Sequence, residues 1–153
     1  MISIKDLIVP ELIFIKDRVE GKNAAFEYLS RRMAGYRKKD AAILLQAVRE
    51  REKKLSTGIG LGIAVPHGRI PRWGKTTLSV LLLKEPLEYE ALDGEPVRLI
   101  LLFISDKDKP CEHINVLSRI SYILSESDCL ERILKSTSPE GLYKSFVEYD
   151  DLL

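Results

Sequence analysis

The sequence predicts an α/β fold of layered helices and sheet. Three observations carry it: four-residue apolar periodicities in the first third, nearly continuous apolar runs in the middle, and a return of helical periodicity towards the end. Helices before, between and after buried strands form layers around a sheet. The 153 residues, 45% hydrophobic and 31% charged, fit a single domain spanning 1–153 with a core of its own.

Ala25, Leu29 and Met33 recur every four residues and predict a helix over about 23–34 that ends near Gly35. Asp40 is placed to cap a second helix, whose stripe of Ile43, Leu44, Ala47 and Val48 runs to about Glu52. Arg51 lies three residues past Val48 and four past Ala47, so it ends that inward stripe and can point towards the sheet. Strands follow at 62–65, 77–83 and 97–104, separated by Gly74, Pro86, Gly94 and Pro96. The last two read as buried on both faces, because their apolar residues are continuous instead of alternating. Asp108, with Pro110 close behind, marks a helix start, and His113, Leu117, Ile120 and Leu124 then share one face. Ser127 begins another helix carrying Leu130, Ile133 and Leu134. Ser138-Pro139-Glu140 opens a last one, with Leu142 and Phe146 inward.

With 24 basic against 23 acidic residues, the formal charge of +1 argues against a dedicated nucleic-acid binder. Arg31-Arg32 and Arg37-Lys38-Lys39 read as solvated helix ends. Cys111 and Cys129, without a CxxC spacing or a histidine at zinc-site spacing, imply no disulfide framework and no structural metal; both read as small buried apolar side chains. A reducing, cytoplasmic setting is expected. The stretch Met1 to Asp6 lacks a basic region followed by a long apolar segment, and runs such as Leu99 to Ile104 are too short to cross a bilayer. Membrane insertion is therefore not expected.

His67 sits in the most informative segment, Ser56 to Arg69, which carries four glycines. Pro66 before it and Gly68 after it predict an imidazole projecting from a strand end among bare backbone, open to a ligand or another protein. Gly58, Gly60 and Gly62 fail the dinucleotide fingerprint: the third glycine falls one residue early and Pro66 stands where a helix should begin. Gly74-Lys75-Thr76 ends like a phosphate-binding loop, but Arg69 occupies the place of the loop's first glycine. A Ser or Cys nucleophile would need an orienting group and an oxyanion hole, and no nucleophile elbow is present.

A histidine can itself be the nucleophile, since a reference pKa of about 6.5 leaves it mostly neutral near pH 7. The phosphoryl oxygens it would accept need cations and N–H donors, which Arg51 and the glycine-rich backbone can supply. The helix starting near Pro110 would add a favourable dipole if it packs close to His67. From pattern alone His113 reads as a core histidine. Thr57 reads either as a loop cap or as a hydrogen-bonding partner of imidazole or phosphate.

Arg51-Glu52, Ser56-Thr57-Gly58-Ile59-Gly60 and Gly62-Ile63-Ala64-Val65-Pro66-His67-Gly68 together resemble the signature of type-2 EIIA domains of the bacterial phosphoenolpyruvate-dependent phosphotransferase system (PTS), the fructose/mannitol and nitrogen-regulatory group. The resemblance continues through Leu92-Asp93-Gly94-Glu95-Pro96-Val97 and through His113 with Leu117-Ser118, and covers essentially the whole chain. It departs at Leu55, where glycine is usual, and at Leu61, where a polar residue is frequent. The resemblance implies an α/β sandwich with a central mixed β-sheet flanked by helices. It also implies that His67 is phosphorylated, receiving its phosphoryl group from the phosphocarrier protein HPr and passing it to a cysteine of an EIIB domain. His113 and Arg51 then belong to the active site, with Thr57 and Gly68 as candidate phosphate-binding loop residues. Such a phosphotransferase component is a stoichiometric carrier and needs no metal or organic cofactor. The alternative is a nitrogen-regulatory module, phosphorylated at the same histidine, that binds regulatory target proteins according to its phosphorylation state.

Overall fold

The computed structural model describes residues 2–152; Met1 and Leu153, the ends of the expected domain, lie outside the described residues. In chain order the elements are α1 (Ile4–Leu7), β1 (Ile8–Lys16), α2 (Lys22–Arg37), α3 (Ala41–Lys54), β2 (Gly58–Gly60), β3 (Ile63–Ala64), β4 (His67–Ile70), β5 (Thr77–Leu87), β6 (Val97–Asp106), α4 (Pro110–Ser125), α5 (Ser127–Leu134) and α6 (Pro139–Leu152). The six strands form one mixed sheet in the order β1-β5-β6-β3-β2, with β4 also paired to β6. β1 runs parallel to β5, and β5 antiparallel to β6. β3 and β4 both run parallel to β6, meeting it at Leu99–Ile100 and at Phe103–Asp106 respectively. Pro66 stands between these two short strands, where its missing N–H cannot break a ladder. Its carbonyl accepts the Phe103 N–H at 3.1 Å.

Side chains alternate across a strand, so β6 serves two cores at once. Leu99, Leu101 and Phe103 pack with Val116, Ile120, Ile133, Leu142 and Phe146 from α4, α5 and α6. Ile100, Leu102 and Ile104 pack with Phe26, Leu29, Met33, Leu44 and Val48 from α2 and α3. Both central strands are covered on both faces, as their continuous apolar runs predict. Each fully buried aliphatic or aromatic side chain contributes roughly 1.5–3 kcal/mol by leaving water.

Asp40 caps α3 as expected, its carboxylate accepting the Ala42 N–H at 2.9 Å. Ser138 accepts the Gly141 N–H at 3.1 Å at the start of α6. Four expectations are corrected. α2 does not end near Gly35 but runs on to Arg37, closing at Lys38 with φ 55°. Arg37 fastens this extra turn by donating to the Trp73 and Lys75 carbonyls and lying 4.3 Å over the Trp73 ring, so it is not a solvated helix end. α4 starts at Pro110 with Lys109, not Asp108, at the position before it and no side-chain cap, while the Asp108 N–H is held by the Asp106 carboxylate at 2.9 Å. Cys129 is buried, but Cys111 points outward from the first turn of α4 and is exposed. Among the described residues no helix is long and apolar enough to cross a membrane.

Candidate functional site

His67 opens β4 rather than closing a strand, and it lies opposite Phe103 of β6. The two rings stack at 5.1 Å with an interplanar angle of 14°. This stacking corrects the expectation of an open imidazole: His67 is only 6% exposed. Its Nδ1 lies 2.8 Å from the Val65 carbonyl oxygen. A carbonyl can only accept, so Nδ1 carries the proton and Nε2 the lone pair. Burial pushes the imidazole below its usual value of 6.5; the Val65 carbonyl opposes this, while Arg51 and Arg69 reinforce it. The ring is therefore neutral at pH 7.

His113, on the first turn of α4, meets His67 edge-on with ring centroids 4.9 Å apart. Its Nδ1 is 2.6 Å from the hydroxyl oxygen of Ser105, which is fully buried on β6. Burial first, then the repulsion that His67 would exert once protonated and the charges of Arg69 and Arg51, hold the His113 imidazole down at about 4. Ile120 and Leu124 on the same stripe are buried, while His113 also walls the cleft beside His67. The core reading and the site reading of this residue thus meet in one half-buried ring.

Strand alternation puts Gly68 on the opposite face from His67, against α3. A Cβ at position 68 would sit 2.9 Å from the Ala47 Cβ and 3.2 Å from the Ala47 carbonyl carbon. Gly68 thereby lets α3 approach the sheet, and Arg51 follows one helical turn after Ala47. The Arg51 guanidinium lines the cleft with both histidines, and its Nη1 donates to the Leu55 carbonyl at 2.7 Å.

Thr57 lines the same cleft but does not offer its hydroxyl to the imidazole. The hydroxyl donates to the Glu52 carboxylate and also lies 2.7 Å from the Tyr89 hydroxyl, while the Thr57 N–H donates to the second Glu52 oxygen at 3.0 Å. A half-buried carboxylate is the stronger acceptor, and it claims both donors. Burial alone would raise the Glu52 carboxyl, but these bonds and Lys22 at 3.1 Å outweigh it and keep it low. The Thr57 carbonyl accepts the Val65 N–H at 2.9 Å. A continuous line of bonds therefore runs from Glu52 through Thr57 and Val65 to His67.

The family model for the phosphoenolpyruvate-dependent sugar phosphotransferase system, EIIA 2, matches residues 6–149. The chain belongs to this family. A nitrogen regulatory protein of Bradyrhizobium diazoefficiens is 29% identical over 140 residues, 92% of each chain. A PTS system fructose-specific EIIA component of Haloferax volcanii is 28% identical over 139 residues, 90% of each. The crystal structure of nitrogen regulatory protein IIA-Ntr from Neisseria meningitidis is similar with a TM-score of 0.87 and 27% identity, over 94% of this chain and 98% of that one. The mixed sheet flanked by helices is accordingly the EIIA fold, in a family holding both nitrogen-regulatory and sugar-system members.

In this EIIA chain the cleft around the histidines has two halves. One, of about 390 Å³, is lined by Arg51, Lys54, Arg69 and Lys107 with Glu50. The other is lined by Leu55, Ile59, Leu92 and Leu117. A neutral imidazole with a free Nε2 beside several cations is suited to take up a phosphoryl group. Among the described residues, no three His, Cys, Asp or Glu side chains gather as a metal site. The five residues singled out from the sequence, His67, His113, Arg51, Thr57 and Gly68, all line this cleft, whereas Glu52, Phe103 and Ser105, which support them, were not singled out. Glu52 carried a signal in being the acid next to Arg51, and Ser105 in ending an apolar run. Phe103 carried none, because its place opposite His67 depends on strand register.

Proposed function

We propose that this chain is a phosphoryl carrier of the phosphotransferase system, taking the group from phosphorylated HPr onto His67 Nε2 and giving it to a cysteine of an EIIB domain. The hydrogen bond from Nδ1 to the Val65 carbonyl carries this reading, since it fixes the proton on one ring nitrogen and frees the other. In the first step the Nε2 lone pair forms a bond to phosphorus as the P–N bond to HPr breaks and its electron pair returns to the HPr nitrogen, while the proton stays on Nδ1, hydrogen-bonded to the Val65 carbonyl. In the second step a cysteine thiolate forms a P–S bond as P–Nε2 breaks, returning His67 to its neutral form. Arg51 neutralises charge on the phosphoryl oxygens, and His113 positions the group from the other side. The fructose-specific relative supports the sugar-system assignment, and the depressed His67 pKa supports its nucleophilic role.

The test is to incubate the protein with phosphoenolpyruvate, enzyme I and HPr and to follow acid-labile labelling. The unsubstituted chain takes up one phosphoryl group and His67→Ala none. Undiminished labelling of His67→Ala overturns the assignment.

A further inference from the structure

We propose that the cationic half of the His67 cleft, with Lys54, Arg69 and Lys107, is a docking rim for a phosphoryl-exchange protein whose contact face carries Asp and Glu residues beside an apolar centre. That the docking protein exchanges phosphoryl groups rests on the carrier reading above; the chemistry of its face rests on three observations.

The first is that the cations are unclaimed. Among the described residues, nine ion pairs hold cations elsewhere, yet none involves Arg51, Lys54, Arg69 or Lys107. Among the described residues, Glu50 is the only carboxylate lining that half of the cleft. The second is that the excess is local, because 24 basic residues face 23 acidic ones in the chain as a whole. A phosphoryl group of roughly −1.5 to −2 charge is matched by Arg51 and one further cation, which leaves the outlying exposed lysines without a partner. The third is the apolar half beside the same histidines, where Leu55, Ile59 and Leu92 are 58%, 47% and 61% exposed. Exposed aliphatic side chains next to unpaired cations fit a partner with an apolar centre and acidic flank, and repel one with a basic flank. The other basic cluster, along the second half of α2 and just beyond it, is partly spent on aromatic faces, with Arg32 over Tyr28 and Arg37 over Trp73. It serves as an internal control.

Two measurements decide the matter. The first is an NMR titration of the labelled protein with hexaglutamate. Amide shifts should concentrate at Lys54, Arg69, Lys107 and His67, fade as the ionic strength rises from about 0.01 M to 0.15 M, and weaken roughly tenfold or more in the double variant Lys54→Glu, Lys107→Glu. Shifts as large at Lys38 and Lys39, or an undiminished response in the double variant, overturn the proposal, as does duplex DNA binding the rim more tightly than hexaglutamate. The second compares phosphorylation by phospho-HPr and by phosphoramidate. The double variant should lose about tenfold or more in kcat/KM with the protein donor and several-fold less with the small one. Equal losses would assign the cations to the phosphoryl group alone and overturn the rim. Failure of the unsubstituted chain to be labelled at His67 counts instead against the carrier reading, and leaves the titration to judge the rim.

Discussion

Two histidines in van der Waals contact are both held neutral here, and the physical causes give their titration a direction. His113 sits at about 4 because burial and nearby positive charge resist its protonation, whereas in the unfolded chain it titrates near 6.5. Above about 6.5 both states are neutral at this ring and it contributes nothing to pH dependence. As pH falls from about 6.5 towards 4 the unfolded chain binds a proton that the folded site refuses, so stability declines across that window. Urea midpoints should therefore fall between pH 7 and pH 4.5, and the fall should be shallower in His113→Gln. An NMR midpoint near 6.5 for His113 would disprove this account. A dianion on His67 Nε2 should reverse the local field and raise the His113 midpoint. Much of this site was legible beforehand, because Pro-His-Gly after a glycine-rich run and an arginine ending an inward stripe are local signals. The Glu52 clamp on Thr57 and the burial of His67 under Phe103 were not, since both arise from contacts between distant segments.

At the scale of elements, the meeting of α3 and β4 sets the geometry of the cleft. Position 68 has no room for a methyl group, and one of the atoms in the way is main chain, so repacking of a side chain cannot relieve it fully. Gly68→Ala should cost about 1–3 kcal/mol in urea unfolding. It should also slow labelling of His67, because α3 must shift and carries Arg51 with it. Adding Ala47→Gly should restore part of both losses; a Gly68→Ala protein with unchanged stability and labelling would refute the close-approach argument. The long helices and the two central strands were readable from their periodicity. β1 escaped because its register shifts between Ile8 and Ile13, around Pro10 and Glu11, which erases the two-residue alternation. β4 escaped because four residues after a proline show no period. The hairpin joining β2 to β3 turns at Leu61 with φ 58°, flanked by Gly60 and Gly62 at 101° and 77°. The glycines adopt such angles freely, while Leu61 holds its own at a cost of about 1–2 kcal/mol.

For the whole molecule, the layered α/β class followed from the order of helical and strand-like runs, while the strand order and the mixture of directions depend on long-range pairing that no local pattern encodes. One buried ion pair ties the far ends of the chain into these layers. Arg119 on α4 meets Asp150 on α6 at 2.7 Å, with the Asp150 side chain 1% exposed, and the Lys5 N–H of α1 donates to the same carboxylate at 3.3 Å. Asp150→Ala leaves the guanidinium buried without its partner and should cost about 3–5 kcal/mol. Its unfolding midpoint should drop accordingly, with His67 still labelled while the protein is folded; a loss below about 1 kcal/mol would show that the pair does not hold these helices. The same contact has a topological consequence. Lys5 and Asp151 pair at 3.0 Å, so α1 and the last turn of α6 lie side by side. A short bridge joining them, with new ends opened in the exposed turn at Gly94 to Pro96, would preserve every strand pairing and both histidines. The described elements in that sense close on themselves, α6 returning to α1.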